Sequence, residues 1–200
     1  MQIAIVKRSF LNDPHCGDEC AYWRDNDKIT LCVVDGLGHG WKAEEAAKAA
    51  IDYVAKHVSE PLPNIFAGCD RAIRHTQGVV MGIAVVGENA GTLTYAGIGD
   101  PRIIIARVQC PAPGLEGIVR LPNRPGVVGG GCRSALPETV PFSSDDLVIL
   151  CTDGILGVVD IASYEDALCA DVQQLAERIV RDWGREKDDV AVLIFRSEGV

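Results

Sequence analysis

Two stretches of this chain drive an apolar run straight into an acid and a glycine, and whatever fold it adopts must accommodate both. Ile29 to Val34 leads into Asp35-Gly36, and Leu147 to Cys151 leads through Thr152 into Asp153-Gly154. A short apolar run without polar alternation reads as a strand buried on both faces, so layers must cover it on each side. The acid that ends such a strand sits at a sheet edge. The glycine beside it lets the backbone approach an ion or a phosphate closely and tolerates positive φ. After Asp35 three glycines (36, 38 and 40) bracket Leu37 and His39, and an alanine-rich segment follows.

That segment has helical periodicity. From Trp41 to Val58, Ala43, Ala46, Ala47, Ala50, Ile51, Val54, Ala55 and Val58 recur at three- and four-residue spacing, predicting an amphipathic helix with a narrow, close-packing face. Pro61 and Pro63 break it and restart a second helix, with the stripe Ile65, Phe66, Cys69 and Ile73, ending near Gly78. Further strands are predicted over 2–6, 21–23, 79–86, 92–97, 102–108 and 117–121. With turns at 87–91 and 99–101, the middle group reads as a meander, and 111–117 and 122–131 read as loops. The segment 155–170 is mixed and turns helical from Ser163. Asp171 and Gln174 suit a capping box for a last helix carrying Val172, Leu175, Ala176, Ile179, Val180 and Trp183, with Gly184 as its stop. Asp188-Asp189 then feeds a closing strand through Phe195. Strands, two helices, strands, one helix and a strand make a segregated α+β pattern. Two antiparallel sheets packed together with helices outside would bury every apolar run, in a single domain over residues 1–200.

A formal net charge of −9 argues against non-specific nucleic-acid binding and against attraction to an anionic membrane surface. An acidic protein that handles phosphate needs metal ions to reverse the local field. No apolar run approaches the ~20 residues of a membrane span. The eight cysteines include no Cys-x-x-Cys pair, and Cys32 and Cys151 lie inside apolar runs. Cysteine there acts as a small buried hydrophobe, and with no signal peptide a reduced, cytoplasmic setting is expected. Cys16-x₃-Cys20 with His15 and His39 is a zinc-like grouping, although its spacing is loose.

Four acids stand at strand edges: Asp18, Asp35, Asp153, and Asp188 or Asp189. Singly, each fits ordinary turn chemistry. Gathered at one end of a sandwich, they would repel one another unless a cation lay between them. Asp carboxylates with glycine carbonyls and water suit hard ions, Mg²⁺ or Mn²⁺, better than zinc.

The motifs Gly17-Asp18, Asp35-Gly36-Leu37-Gly38-His39-Gly40, Gly97-Ile98-Gly99-Asp100, Thr152-Asp153-Gly154 and Asp188-Asp189-Val190-Ala191-Val192 occur in this order. In that order they resemble the metal-dependent PPM (type 2C) Ser/Thr protein phosphatases, and the Asp-Gly-x-Gly-His-Gly form is similar to their bacterial SpoIIE-like branch. Within that branch, the short stand-alone length most resembles a stressosome feedback phosphatase. The resemblance implies an α/β/β/α sandwich with a two-metal site, Mn²⁺ or Mg²⁺, at the sheet edge. Asp35 would bridge both ions, the Gly36 carbonyl would bind the first, and Asp153 and Asp188 would hold the second. Asp18 would bind directly or orient the attacking water, and Asp100 is placed for a third ion or for the turn before Pro101. A metal-activated water would attack the phosphorus of a phosphoserine or phosphothreonine, with phosphorylated STAS-domain stressosome proteins as implied substrates.

Three positions depart from the family pattern. Leu37 stands where eukaryotic members have a His, a proposed general acid; His39 is either its substitute or a loop residue. Ala191 replaces the usual Thr after the closing acids. Arg102 is the candidate for the phosphate-binding arginine, or else a strand-edge charge with a buried stem. Docking of a protein substrate is expected at the loops 111–117 and 122–131. The alternatives are a catalytically degenerate phosphoprotein-binding module of the same fold and a phosphohydrolase for a small molecule. The absence of a Gly-Lys-Ser/Thr loop argues against nucleoside triphosphates.

Overall fold

The computed structural model describes residues 1–109, 114–132, 135–157, 160–164 and 171–197. Ten strands form two five-stranded antiparallel sheets. One has the order β1 (Gln2–Arg8), β10 (Val190–Arg196), β9 (Leu147–Cys151), β6 (Arg102–Gln109) and β7 (Gly114–Leu121). The other has the order β2 (Asp18–Asp25), β3 (Lys28–Gly36), β4 (Val79–Gly87), β5 (Thr92–Ile98) and β8 (Glu138–Pro141). Helices α1 (Trp41–His57) and α2 (Leu62–Ala72) pack on the second sheet, and α3 (Val172–Trp183) packs on the first.

The uninterrupted apolar runs now have their explanation. Along β10, Ala191, Leu193 and Phe195 point into the core between the sheets, while Val190, Val192 and Ile194 point at α3. Along β3, Leu31 and Val33 face the other sheet, while Cys32 and Val34 face α1 and α2. Each strand therefore serves two cores, and at roughly 1.5–3 kcal/mol per buried large apolar side chain both faces contribute. The alanine face of α1 works the same way. Ala43, Ala46, Ala47 and Ala50 are buried, and the helix comes so close that a Cβ on Gly36 would lie 2.1 Å from the Ala43 carbonyl oxygen.

The α+β sandwich agrees with expectation, but several details are corrected. The middle strands are not one meander, because β5 and β6 belong to different sheets. The chain crosses between sheets at Gly99-Asp100-Pro101, where Gly99 has φ +88° and a Cβ would meet Val80 at 2.2 Å. Strand β7 begins at Gly114, inside the expected loop 111–117, and β8 went unforeseen. Strand β8 lies on a sheet edge with only Val140 half-buried and its other three residues exposed, so it lacks an apolar run. The loop 122–131 is tied down by bridges from Arg124 to Ile98 and from Val128 to Val79. Helix α2 stops at Ala72, short of Gly78. Asp171 caps α3 through the Gln173 N–H (2.9 Å) rather than through a box with Gln174. The helix expected from Ser163 is a short 3₁₀ turn over Ile161–Tyr164, and 165–170 lie outside the described residues.

Candidate metal centre and active site

Both acid-glycine stretches end at the same edge of the sandwich. Strands β2 and β3 pair with Asp18 directly opposite Asp35. Cys151 of β9 stands opposite Val192, so Asp153 and the acids before β10 emerge side by side. Close packing keeps them there: a Cβ on Gly154 would lie 1.9 Å from the Asp189 carbonyl oxygen.

The acids are not equivalent. Asp18 is buried, and its carboxyl is pushed up to about 7. Burial is the main cause; the neighbouring Thr152 hydroxyl opposes it, and Asp189, Asp153 and Asp188 add repulsion. Asp35 is pushed up to about 9, by burial first and then by Asp18, Asp153, Asp100 and Asp188. Asp188 is raised by burial and by Asp153, and partly relieved by Arg185, whose guanidinium lies 3.9 Å away. Four of the expected site residues thus repel one another, and Asp100, exposed at the sheet crossover, belongs to the same field.

Asp189 has a different task. Its Oδ1 accepts the Phe10 N–H at 2.7 Å and its Oδ2 accepts the Gly17 N–H at 2.8 Å. Both oxygens are spent pinning the two ends of the segment that leads into Asp18. This favours Asp188 as the acid left to face an ion, a choice the sequence left open.

Arg102 is likewise committed. It donates to the carbonyl oxygens of Ile155 (2.5 Å), Leu156 (3.1 Å) and Asp153 (3.4 Å), so it braces the turn after β9 and does not stand ready for phosphate. The Ala191 methyl packs between the sheets, and the neighbouring hydroxyl is that of Thr152, which accepts the Ala191 N–H at 3.0 Å. His39 is exposed on the glycine loop, its ring 5.9 Å from that of Phe10. The zinc-like grouping does not assemble. Cys20 is buried between the sheets, and His15 pairs with Glu44 at 2.7 Å.

The donor set fits hard divalent ions. Asp18 Oδ2 is buried without a hydrogen-bond partner among the described residues, in a site where neighbouring acids raise Asp18 and Asp35. A divalent cation removes both costs. Among the described residues no three His, Cys, Asp or Glu side chains form one ready-made cage. An ion there would be met by carboxylates it draws together, with backbone oxygen and water completing the shell, the all-oxygen coordination that hard ions take.

The sequence profile of Stage II sporulation protein E (SpoIIE) matches residues 25–198. The chain belongs to the SpoIIE family. Phosphoserine phosphatase RsbX of Bacillus subtilis (strain 168) is 29% identical over 149 residues, covering 74% of this chain and 71% of that protein. Among solved structures, a chain from work on the bacterial stressosome, there described as a modular system adapted to control secondary messenger signalling, superposes with TM-score 0.86. It is 30% identical, over 96% of this chain and 97% of that one. RsbX in complex with magnesium superposes with TM-score 0.81 at 23% identity, over 96% of this chain and 92% of that one. The last likeness establishes the fold, and the Mycobacterium tuberculosis serine/threonine phosphatase PstP shares it at 17% identity and TM-score 0.71, over 99% of each chain. Asp189 and Thr152 are the residues at this edge whose hydrogen bonds sequence reasoning did not foresee. An acid beside an acid, or a Thr beside one, carries no signal of which atom faces inward.

Proposed function

We propose that this SpoIIE-family chain, a metal-dependent protein serine/threonine phosphatase, uses two ions, Mn²⁺ or Mg²⁺, and acts on phosphorylated STAS-domain proteins of a stressosome. The observation that carries the catalytic reading is Asp18 paired across from Asp35, inside a field of Asp153 and Asp188, with one buried carboxylate oxygen unpartnered. Asp35 and the Gly36 carbonyl would hold the first ion, Asp35 with Asp153 and Asp188 the second, and Asp100 a weaker third. Bound there, divalent ions supply an activated water and neutralise charge on the phosphoryl group.

The chain's own residues do the positioning. Thr152, held on the Ala191 backbone, stands beside Asp18 and eases its ionisation, and the Asp18 carboxylate would align the attacking water. Asp189 keeps the Asp18 strand in register with the acids of the other sheet. Arg102 stiffens the turn that presents Asp153. His39, exposed on the loop that leaves Asp35, is available to protonate the seryl or threonyl leaving oxygen. The RsbX relative and the stressosome chain support the substrate class. No helix among the described residues is long and apolar enough to cross a membrane.

The test is hydrolysis of p-nitrophenyl phosphate with and without Mn²⁺ or Mg²⁺, by the wild type and by Asp153→Asn. Turnover that needs the ion and is lost in the variant is expected. Absence of turnover with every divalent ion, together with retained binding of a phosphorylated STAS-domain protein, would replace the enzyme by a phosphoprotein-binding module.

A further inference from the structure

Six large hydrophobic residues are exposed among the described residues, and four of them stand on the segments that carry or hold the site's acids. Leu11 is 74% exposed, Trp41 57%, Leu156 44% and Leu37 37%. They come from three separate segments. Leu11 lies between Phe10 and Gly17, the two positions whose N–H groups Asp189 holds. Leu37 and Trp41 flank the glycine loop that leaves Asp35, and the Phe10–His39 ring contact joins that loop to the first segment. Leu156 follows Asp153 by three residues and is fixed through its N–H to the Trp183 carbonyl (2.8 Å). Scattered exposed apolar residues need no explanation, but four on the three segments that lead to and from the acids do.

Two further observations point the same way. Leu11 and Asn12 both adopt left-handed backbone, at φ 49° and φ 58°. For leucine this conformation is costly, and here it holds the side chain out in water. Beside Trp41 lies a cleft of about 290 Å³, lined also by Lys42, Glu45, His75, Thr76 and Gln77. Net charge disfavours the approach of a phosphoprotein. The protein carries −9, its site is acidic, and the phosphate is an anion. Arg102 is engaged on carbonyls, Arg8 on the Arg185 carbonyl and Lys7 on Glu19, while Lys42 lies over the Trp41 ring at 5.5 Å.

We infer that Leu11, Leu37, Trp41 and Leu156 form an apolar collar that docks the surface of a folded phosphoprotein around its phosphorylated residue, and that substrate choice resides in this collar. The inference rests on the phosphatase reading above. The phosphate has to enter where the collar stands, so the partner's surface beside it must meet these four side chains. An aromatic anchor next to a cleft is the usual core of such a contact.

The experiment compares kcat/KM for a serine-phosphorylated STAS-domain protein, the phosphopeptide excised from it, and p-nitrophenyl phosphate. The wild type should favour the folded protein over the peptide, with a rate that NaCl leaves level or raises. The double variant Leu37→Ser/Trp41→Ser should lower kcat/KM for the folded protein relative to p-nitrophenyl phosphate by about ten-fold, mostly through KM. Leu11→Asn should lower the same ratio while raising Tm, because asparagine tolerates left-handed backbone. Tyr22→Ser, an exposed aromatic on edge strand β2, should leave the ratio in place. An unmoved ratio, a parallel loss on all three substrates, or a wild type no faster on folded protein than on peptide would overturn the collar. So would a wild-type dimer that the double variant dissociates, since the occupant would then be a second copy. If the wild type shows no metal-dependent hydrolysis of p-nitrophenyl phosphate, the phosphatase reading itself falls, and the collar with it.

Discussion

Asp70 and Asp35 are both largely shielded carboxylates on well-packed elements, and their surroundings drive them in opposite directions. Asp70, on α2, has an Oδ1 that accepts three backbone N–H groups, from Gly129, Gly131 and Cys132, each at 2.9 Å. Burial raises its pKa, but those bonds outweigh burial and hold it below the ordinary carboxylate value. Asp35 is pushed up to about 9, with burial reinforced by four neighbouring acids. Asp189 repeats the first pattern inside the candidate site itself, each oxygen satisfied by a backbone N–H. Burial therefore does not distinguish a structural acid from a functional one; the partners do. A structural carboxylate is surrounded by donors, whereas a functional one is left short of them until a cation arrives.

The sharpest way to break this comparison is to neutralise one acid of each kind and read activity and stability separately. Asp35→Asn should lower metal-dependent kcat on the order of 10²–10³-fold, the usual cost of removing a group aimed at developing charge. An Asp35→Asn enzyme with normal turnover would remove Asp35 from the site. Asp189→Ala deprives two backbone N–H groups of a charged acceptor, at about 1.5–3 kcal/mol each. Urea unfolding should show a loss of about 3 kcal/mol or more. Unchanged stability with lost activity would make Asp189 a ligand and not a clamp. Asp70→Ala deprives three backbone N–H groups in the same way and should cost about 3 kcal/mol or more, with most of the loss in the loop 128–132. Its contribution is present above the unfolded-state pKa near 4 and fades as pH falls through the lower folded value. Measured at pH 2, the variant and the wild type should therefore draw together.

The smallest effect has the opposite sign. A carboxyl whose folded pKa is raised stabilises the fold below the unfolded-state value near 4, and that stability is lost as pH climbs toward about 9. Metal-free Asp35→Asn should therefore melt about 2–4 °C above the metal-free wild type at pH 8, and no higher at pH 4. Adding Mn²⁺ should reverse the order at pH 8, because only the wild type gains from binding. A variant less stable than the wild type at both pH values would show that Asp35 is held by donors after all.

Much of this was legible in the residues. The unbroken runs Ile29 to Val34 and Val190 to Phe195 identified strands buried on both faces, because period-two side chains with no polar member leave no face for water. The alanine spacing of α1 identified a close-packing helix. The acids were legible as a group because each flanks an apolar segment. What failed was whatever depends on partners distant in sequence. Strand β8 carries no apolar signal, since it completes an edge whose other face is solvent. The crossing at Gly99-Asp100-Pro101 looks locally like any hairpin turn, and only the packing of two sheets decides that it is not one.

Site roles divide in the same way. The chain alone fixed the chemistry available at the edge: carboxylates, glycines and one imidazole, which suit a hard cation and a phosphoryl group. The folded molecule decided how each is used. Asp188 and Asp189 are adjacent and identical in kind, yet the second is bonded to Phe10 and Gly17, 179 and 172 residues away. Arg102 could have been a phosphate ligand until the turn after β9 folded against it and supplied three carbonyl oxygens. Local sequence sets strand and helix through short-range sterics and periodicity. Donors and acceptors are assigned only when remote segments close on one another, so roles at this site belong to the tertiary structure.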